Sequence, residues 1–163
     1  MKKSIIIMVL AASNILGAQA YKGKGDVKFQ VGANFQNKGS GVLVSTDYGI
    51  GENMSYGFVA SYLLNTALDF GTPKFEDRFD FKARFNANLG NVFKIKKNAD
   101  IYPGLDLGLR NFGAHLGLRY FFTNGFGVYS EAGFPIAKYK TNPSGYDYLN
   151  NQFVFTIGAS FNL

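Results

Sequence analysis

The sequence predicts an all-β protein: an eight-stranded antiparallel transmembrane β-barrel, an up-and-down meander preceded by a cleaved signal peptide. Three observations carry this. Large apolar side chains alternate with polar ones through eight segments bounded by turn residues. Glycine recurs on the polar face of those segments. The apolar face holds more Phe, Tyr and Leu than the narrow interior of such a barrel accepts.

The N-terminus says where the chain goes. "MKKSIIIMVLAASNILGAQA" has Lys2 and Lys3, an apolar run from Ile5 to Leu16, and Ala18-Gln19-Ala20 at its end. That is the pattern of a secretory signal peptide, expected over residues 1–20. The run is shorter than the ~20 apolar residues of a spanning helix, and Ser13 and Asn14 interrupt it. Residues 21–163 then form one barrel domain. Without Lys2 and Lys3 its net charge is +4, and after export this basic excess reads as a membrane-surface feature rather than a nucleic-acid site. The chain has no cysteine, so burial or a hydrogen-bonded sheet must hold it. Its 20 glycines, 17 phenylalanines and 10 tyrosines favour strands and turns.

The first segment, about Val27 to Gln36, puts Val27, Phe29, Val31, Ala33 and Phe35 on one face, and "NKGSG" reverses the chain. The second, Val42 to Ile50, aligns Val42, Val44, Thr46, Tyr48 and Ile50 before the turn "GEN". The third, Met54 to Leu64, aligns Tyr56, Phe58, Ala60 and Tyr62; a polar loop follows. The fourth, "FDFKARFNANLG" from Phe79 to Gly90, alternates almost without error. "GNVFKIKKN" leads to the fifth, Ala99 to Leu109, in which Pro103 lacks a ladder donor and belongs near a rim or bulge. The sixth runs from Phe112 to Phe122 and the seventh from Phe126 to Phe134. A Tyr-rich loop from Pro135 to Asn150 precedes the last, Phe153 to Leu163. Ile50 and Met54 share a face, so the turn between them has an odd number of residues. The same parity around Asn124-Gly125 predicts a three-residue turn with a bulge rather than the usual two-residue hairpin.

Glycine decides which face is inside. Gly32, Gly57, Gly104, Gly108, Gly117, Gly133 and Gly158 all fall on the polar face. On a solvated strand face a glycine only costs stability; in a narrow lumen it leaves room for a long side chain from the next strand. Phe58, Phe81, Phe85, Leu107, Leu118, Phe155 and Phe161 are therefore expected to face lipid. Lys28, Asp47, Asp80, Lys82, Arg84, Asp106, Arg110, Arg119 and Glu131 are expected in the lumen as a charge network, with Arg78 and Asp100 near its ends. Arg119 and Glu131 are expected to be direct or diagonal neighbours in one hairpin.

The segments "STDYGIGENMSYGFVASY", "LGLRYFFTNGFGVYSEAGF" and "FVFTIGASFNL" resemble the small outer-membrane β-barrel proteins of Gram-negative bacteria, the OmpA/OmpX-type eight-stranded class. The resemblance spans the chain after residue 20. It implies an outer-membrane location, both termini in the periplasm, barrel-assembly machinery and outer-membrane lipid as partners, and a monomer. In that orientation residues 65–77 and 135–150 are the longer extracellular loops, with Tyr139, Tyr146 and Tyr148 as candidate contacts for an unknown extracellular ligand. Lys22, Lys24, Lys94, Lys96 and Lys97 gather on the periplasmic rim.

Catalysis is not expected. His115 is the one histidine, but it faces the lumen, and no serine occupies the next inward position. No Cys or His cluster offers a metal site, and no nucleotide loop is present, so no cofactor is expected. The expected role is structural or surface interaction through the loops. The alternatives are a membrane-embedded lipid-modifying enzyme and a narrow channel for small solutes.

Overall fold

In a computed structural model, which describes residues 18–67, 71–142 and 144–163, eight strands follow one another around a closed ring. They are β1 (Val27–Gln36), β2 (Gly39–Gly49), β3 (Met54–Thr66), β4 (Phe79–Ala87), β5 (Ala99–Gly108), β6 (Asn111–Phe121), β7 (Phe126–Lys138) and β8 (Val154–Asn162). Each is antiparallel to its neighbour in sequence, and β8 closes on β1. A one-turn helix, α1 (Phe75–Arg78), precedes β4. The end where β1 begins is called lower below.

The register follows the alternation. Phe58 faces Thr46 and Ala83, and Phe85 faces Tyr56 and Leu105, all on the outer face. Leu107 and Leu118 are exposed, Leu118 at 52 %. Phe155 is exposed as well, whereas Phe161 is half-buried between Phe29 and Phe126. Both lower hairpin turns have three residues and the same bonding. Ile50 and Gly51 donate to the Met54 carbonyl, and Phe122 and Thr123 donate to that of Phe126.

Several boundaries differ from the sequence reading. "NKGSG" is not a five-residue loop: Gln36 pairs with Gly39, leaving a two-residue turn in which Lys38 adopts φ 58°. β2 thus starts at Gly39, and an extra residue on β3 shifts the register between Ser40 and Gly41. β7 continues through Pro135 to Lys138, with a like shift between Phe112 and Gly113, so the loop expected from Pro135 begins four residues later, at Tyr139. Pro fits there because a bulge leaves one donor unused. Pro103 lies within β5 rather than at its rim, next to Gly104, where the short β4–β5 ladder ends. β4 stops at Ala87 instead of Gly90, although the Asn88 amide still donates to the Asn53 carbonyl at the lower edge. Of the expected signal peptide, residues 1–17 lie outside the described residues; Ala18 and Ala20 pack on Phe121 at the lower mouth.

Glycines let side chains cross from one strand to the next but one. Gly57 lies between Asp47 and Arg84, Gly104 between Asn86 and His115, and Gly117 between Tyr102 and Glu131. Strands two apart are separated by ~10 Å, a gap that opposed side chains bridge when nothing rises from the middle strand. A Cβ on Gly117 would clash with the Tyr102 ring, which is fully buried under the Arg119 guanidinium at 3.9 Å. Gly117→Ala is therefore expected to destabilise the barrel by about 1–3 kcal/mol. The midpoint of urea unfolding tests this, and Tyr102→Ala in the same chain is expected to recover part of the loss.

Candidate functional site

The lumen is the most elaborated part of the molecule. Arg84, 4 % exposed, is its hub. Its Nε and Nη2 donate to the Asp47 carboxylate at 2.6 and 2.7 Å, and Nη1 donates to Glu131 at 3.1 Å. Nη2 also reaches Gln30 Oε1 and Ser45 Oγ at 3.0 and 3.1 Å. One guanidinium on β4 thus ties β1 and β2 to β7 across the bore, a geometry that the rigid fork of arginine suits.

Below it, Arg119 donates to Asn88 Oδ1 at 2.8 Å and lies 3.3 Å from Asp100 and 3.7 Å from Asp47. Glu131 faces Gly117, so Arg119 and Glu131 are diagonal neighbours, yet Glu131 bonds Arg84 across the bore and Arg119 pairs with Asp100, directly opposite it on β5. At the floor Lys28 pairs with Asp26, its ammonium over the Phe121 ring. Tyr21, outside the strands, reaches the Gly51 and Met54 carbonyls; burial, then Asp26, pushes its hydroxyl pKa up to about 12. Above the hub, Lys82 lies 3.8 Å from Asp80 beside a 40 Å³ cavity also bordered by Asp106 and Glu131.

His115 is buried. Its Nδ1 is 3.0 Å from both Asp106 oxygens and its Nε2 is 2.9 Å from Asn86 Oδ1. Both ring nitrogens are occupied by structural partners, a poor arrangement for a general base. Among the described residues no group of three or more His, Cys, Asp or Glu is placed to hold a metal ion.

Two expectations about the lumen need correction. Arg110 is not inside: the two-residue gap between β5 and β6 carries it to the upper rim, where it donates to the Glu76 carbonyl. Nor is the lumen wholly polar. Leu43, Val59, Leu63, Tyr102, Phe121 and Tyr129 are buried within it.

The upper mouth has a roof that the sequence did not reveal. Asn111 Nδ2 donates to the Asn150 carbonyl and to Asn151 Oδ1, while the Asn150 side chain donates to the Arg78 carbonyl at 3.2 Å. Leu149, Asn150 and Asn151 are buried as a result, and the β7–β8 loop lies over the bore. Beside this roof Phe75, Phe79, Arg110, Tyr139, Lys140 and Asp147 line an open cavity of about 400 Å³, large enough for a small ligand. Of the candidate loop contacts, Tyr139 borders that cavity and is exposed, Tyr148 is exposed, and Tyr146 is half-buried in the 3₁₀ turn Gly145–Tyr148 near Gly71.

Asp147 holds this loop. Lys140 Nζ donates to one of its oxygens at 2.7 Å and the Ser144 amide to the other at 3.3 Å, which keeps its carboxyl below the usual aspartate value. A carboxylate whose pKa is depressed on folding stabilises the folded loop above the ordinary value, ~3.9, and loses that effect as pH falls through the depressed one. Protease nicking of the loop is therefore expected to rise below about pH 4, and Asp147→Asn is expected to show the same nicking at neutral pH.

The model of a family of unknown function, DUF6646, matches residues 11–163. The chain belongs to that family. No curated protein matches this DUF6646 chain in sequence. Among solved structures, one described as "De novo design of transmembrane beta-barrels" is similar to it, with a TM-score of 0.59 and 10% identity over 87% of this chain and 98% of that one. At that identity the likeness concerns the fold: this DUF6646 chain has the closed eight-stranded antiparallel meander of a transmembrane β-barrel.

Proposed function

We propose that the protein is an outer-membrane β-barrel of a Gram-negative bacterium, of the OmpA/OmpX-type class, with a blocked lumen and a structural or surface-interaction role carried by its upper loops. One observation carries the reading: the polarity of the barrel is inverted. Phe58, Phe81, Leu105, Leu116, Phe134 and Ile157, from six different strands, are all exposed on the outside, while Lys28, Arg84, Arg119 and five aspartates are buried. A closed ladder with an apolar exterior satisfies the backbone in a bilayer and would be a liability in water. The export pattern of residues 1–20 fits the same location.

In this orientation the lower end is periplasmic, the barrel-assembly machinery inserts the chain as a monomer, and the 400 Å³ cavity beside the roof faces outside the cell. The arginine hub and the asparagine roof argue against conduction, and the enclosed His115 argues against lipid chemistry. The test is gel mobility of the membrane fraction, boiled against unboiled, followed by planar-bilayer recording. A heat-dependent shift in the outer-membrane fraction with no discrete conductance is expected. A soluble periplasmic protein without a shift overturns the reading, and steady conductance altered by Arg84 substitution replaces it with a channel.

A further inference from the structure

The mature charge is unevenly placed along the barrel axis. At the lower rim Lys22, Lys24, Lys94, Lys96 and Lys97 stand against a single acidic side chain, Glu52. The bore is the reverse, with six carboxylates, Asp26 among them, facing two lysines and two arginines.

Just above three of those lysines the outer wall is hollow. A groove of about 740 Å³ is bounded by Ile95, Ile101, Leu118, Tyr120, Val128 and Ile157. It arises from the register: Ser130 on β7 lies between Leu118 on β6 and Ile157 on β8, a small side chain between two large exposed ones. The β4–β5 loop closes the lower end of the groove with Ile95 and carries exposed Lys94, Lys96 and Lys97 on either side of it. The loop is held in place, because Ile95 bonds the Gly90 carbonyl and Ala99 bonds that of Lys96.

We propose that this groove and loop bind one anionic phospholipid, an acyl chain along Leu118, Val128 and Ile157 and the headgroup phosphate against Lys94, Lys96 and Lys97. The inference rests on the membrane reading above. A trough that is apolar along the wall and cationic at its rim end has the polarity of a phospholipid. The wall offers no open strand edge, so an added β-strand does not fit. A second copy packed on the same face would bring its own lysines to the same level as these, like charge against like.

The test uses the full-length exported barrel in neutral detergent, given equal amounts of phosphatidylglycerol and phosphatidylcholine of matched chains, with retained lipid counted by native mass spectrometry. One phosphatidylglycerol per barrel is expected, preferred roughly tenfold or more over phosphatidylcholine. K94Q/K96Q/K97Q is expected to abolish the preference. Ser130→Phe, which fills the trough without touching the lysines, is expected to abolish retention. Each variant is compared only where its heat-dependent gel shift matches the parent, and Ser130→Leu stands in if Ser130→Phe does not fold. Millimolar inorganic phosphate is expected to leave the lipid in place; displacement by it, equal retention of both lipids, or a preference that survives both variants overturns the site. A cross-linked dimer through Ser130 also overturns it. A parent chain that shows no heat-dependent shift and stays soluble without detergent overturns the membrane reading itself, an outcome distinct from a shifted barrel without lipid preference.

Discussion

Arg84→Met is expected to cost about 3–5 kcal/mol of barrel stability, the range for breaking a buried ionic cluster by removing one partner. The reason lies in what stays behind. Asp47 and Glu131 lose their shared cation, and Gln30 and Ser45 lose a donor, all inside a bore that excludes most water. Arg84→Lys restores the charge but not the fork that spans both carboxylates, so an intermediate loss is expected. Replacing Asp47 and Glu131 by Asn and Gln together with Arg84→Met is expected to recover part of the loss, because the uncompensated charge goes too. Urea unfolding followed by gel mobility gives the values. A loss under about 0.5 kcal/mol for Arg84→Met would mean that the lumen is wet enough to solvate its ions unaided.

Leu116→Arg is expected to cost about 2–4 kcal/mol in lipid, the penalty for a cation on the outer face near the bilayer midplane. Leu116 is midway along β6, opposite Pro103 and Ala132, and points outward. Phe93→Arg, on the exposed lower loop, is expected to cost about 0–1 kcal/mol, because near the interface the new cation keeps its water. The depth dependence is the informative part. A protein living in water would gain solubility from Leu116→Arg, and a neutral result at both positions would place the apolar face out of the bilayer.

Most of the wall was legible in the sequence because a strand face has period two and a single polar face runs through all eight segments. That periodicity placed Phe81, Arg84 and Arg119 on their sides of the wall before any pairing was known. The pairing inside the bore was not legible. Arg84 meets Glu131 from β7, a contact set by the diameter of the ring rather than by the hairpin to which either belongs. Glu131 illustrates the loss: a diagonal neighbour of Arg119 in one hairpin, it turns across the bore to Arg84, while Arg119 takes Asp100, its direct partner in the β5–β6 ladder. Tyr102 left a usable trace, since an aromatic residue at an inward position opposite Gly117 marks a ring lying on a glycine. Asp26 precedes the first strand and Asn150 sits in a loop, so no periodicity pointed to either.

The ring closes through one pairing between strands distant in the chain. Its two glycines, Gly32 and Gly158, face each other, and the Tyr129 hydroxyl lies against Gly32. The other ladders are hairpins, which gain contacts locally as they form, whereas the β1–β8 seam must first gather a chain of more than a hundred residues. The seam therefore assembles last, after the hairpins have ordered. A weakened seam is expected to speed the opening of the finished barrel. Kinetic persistence of the closed ring is set along that one line, where Gln30 and Ser160 meet at 3.4 Å.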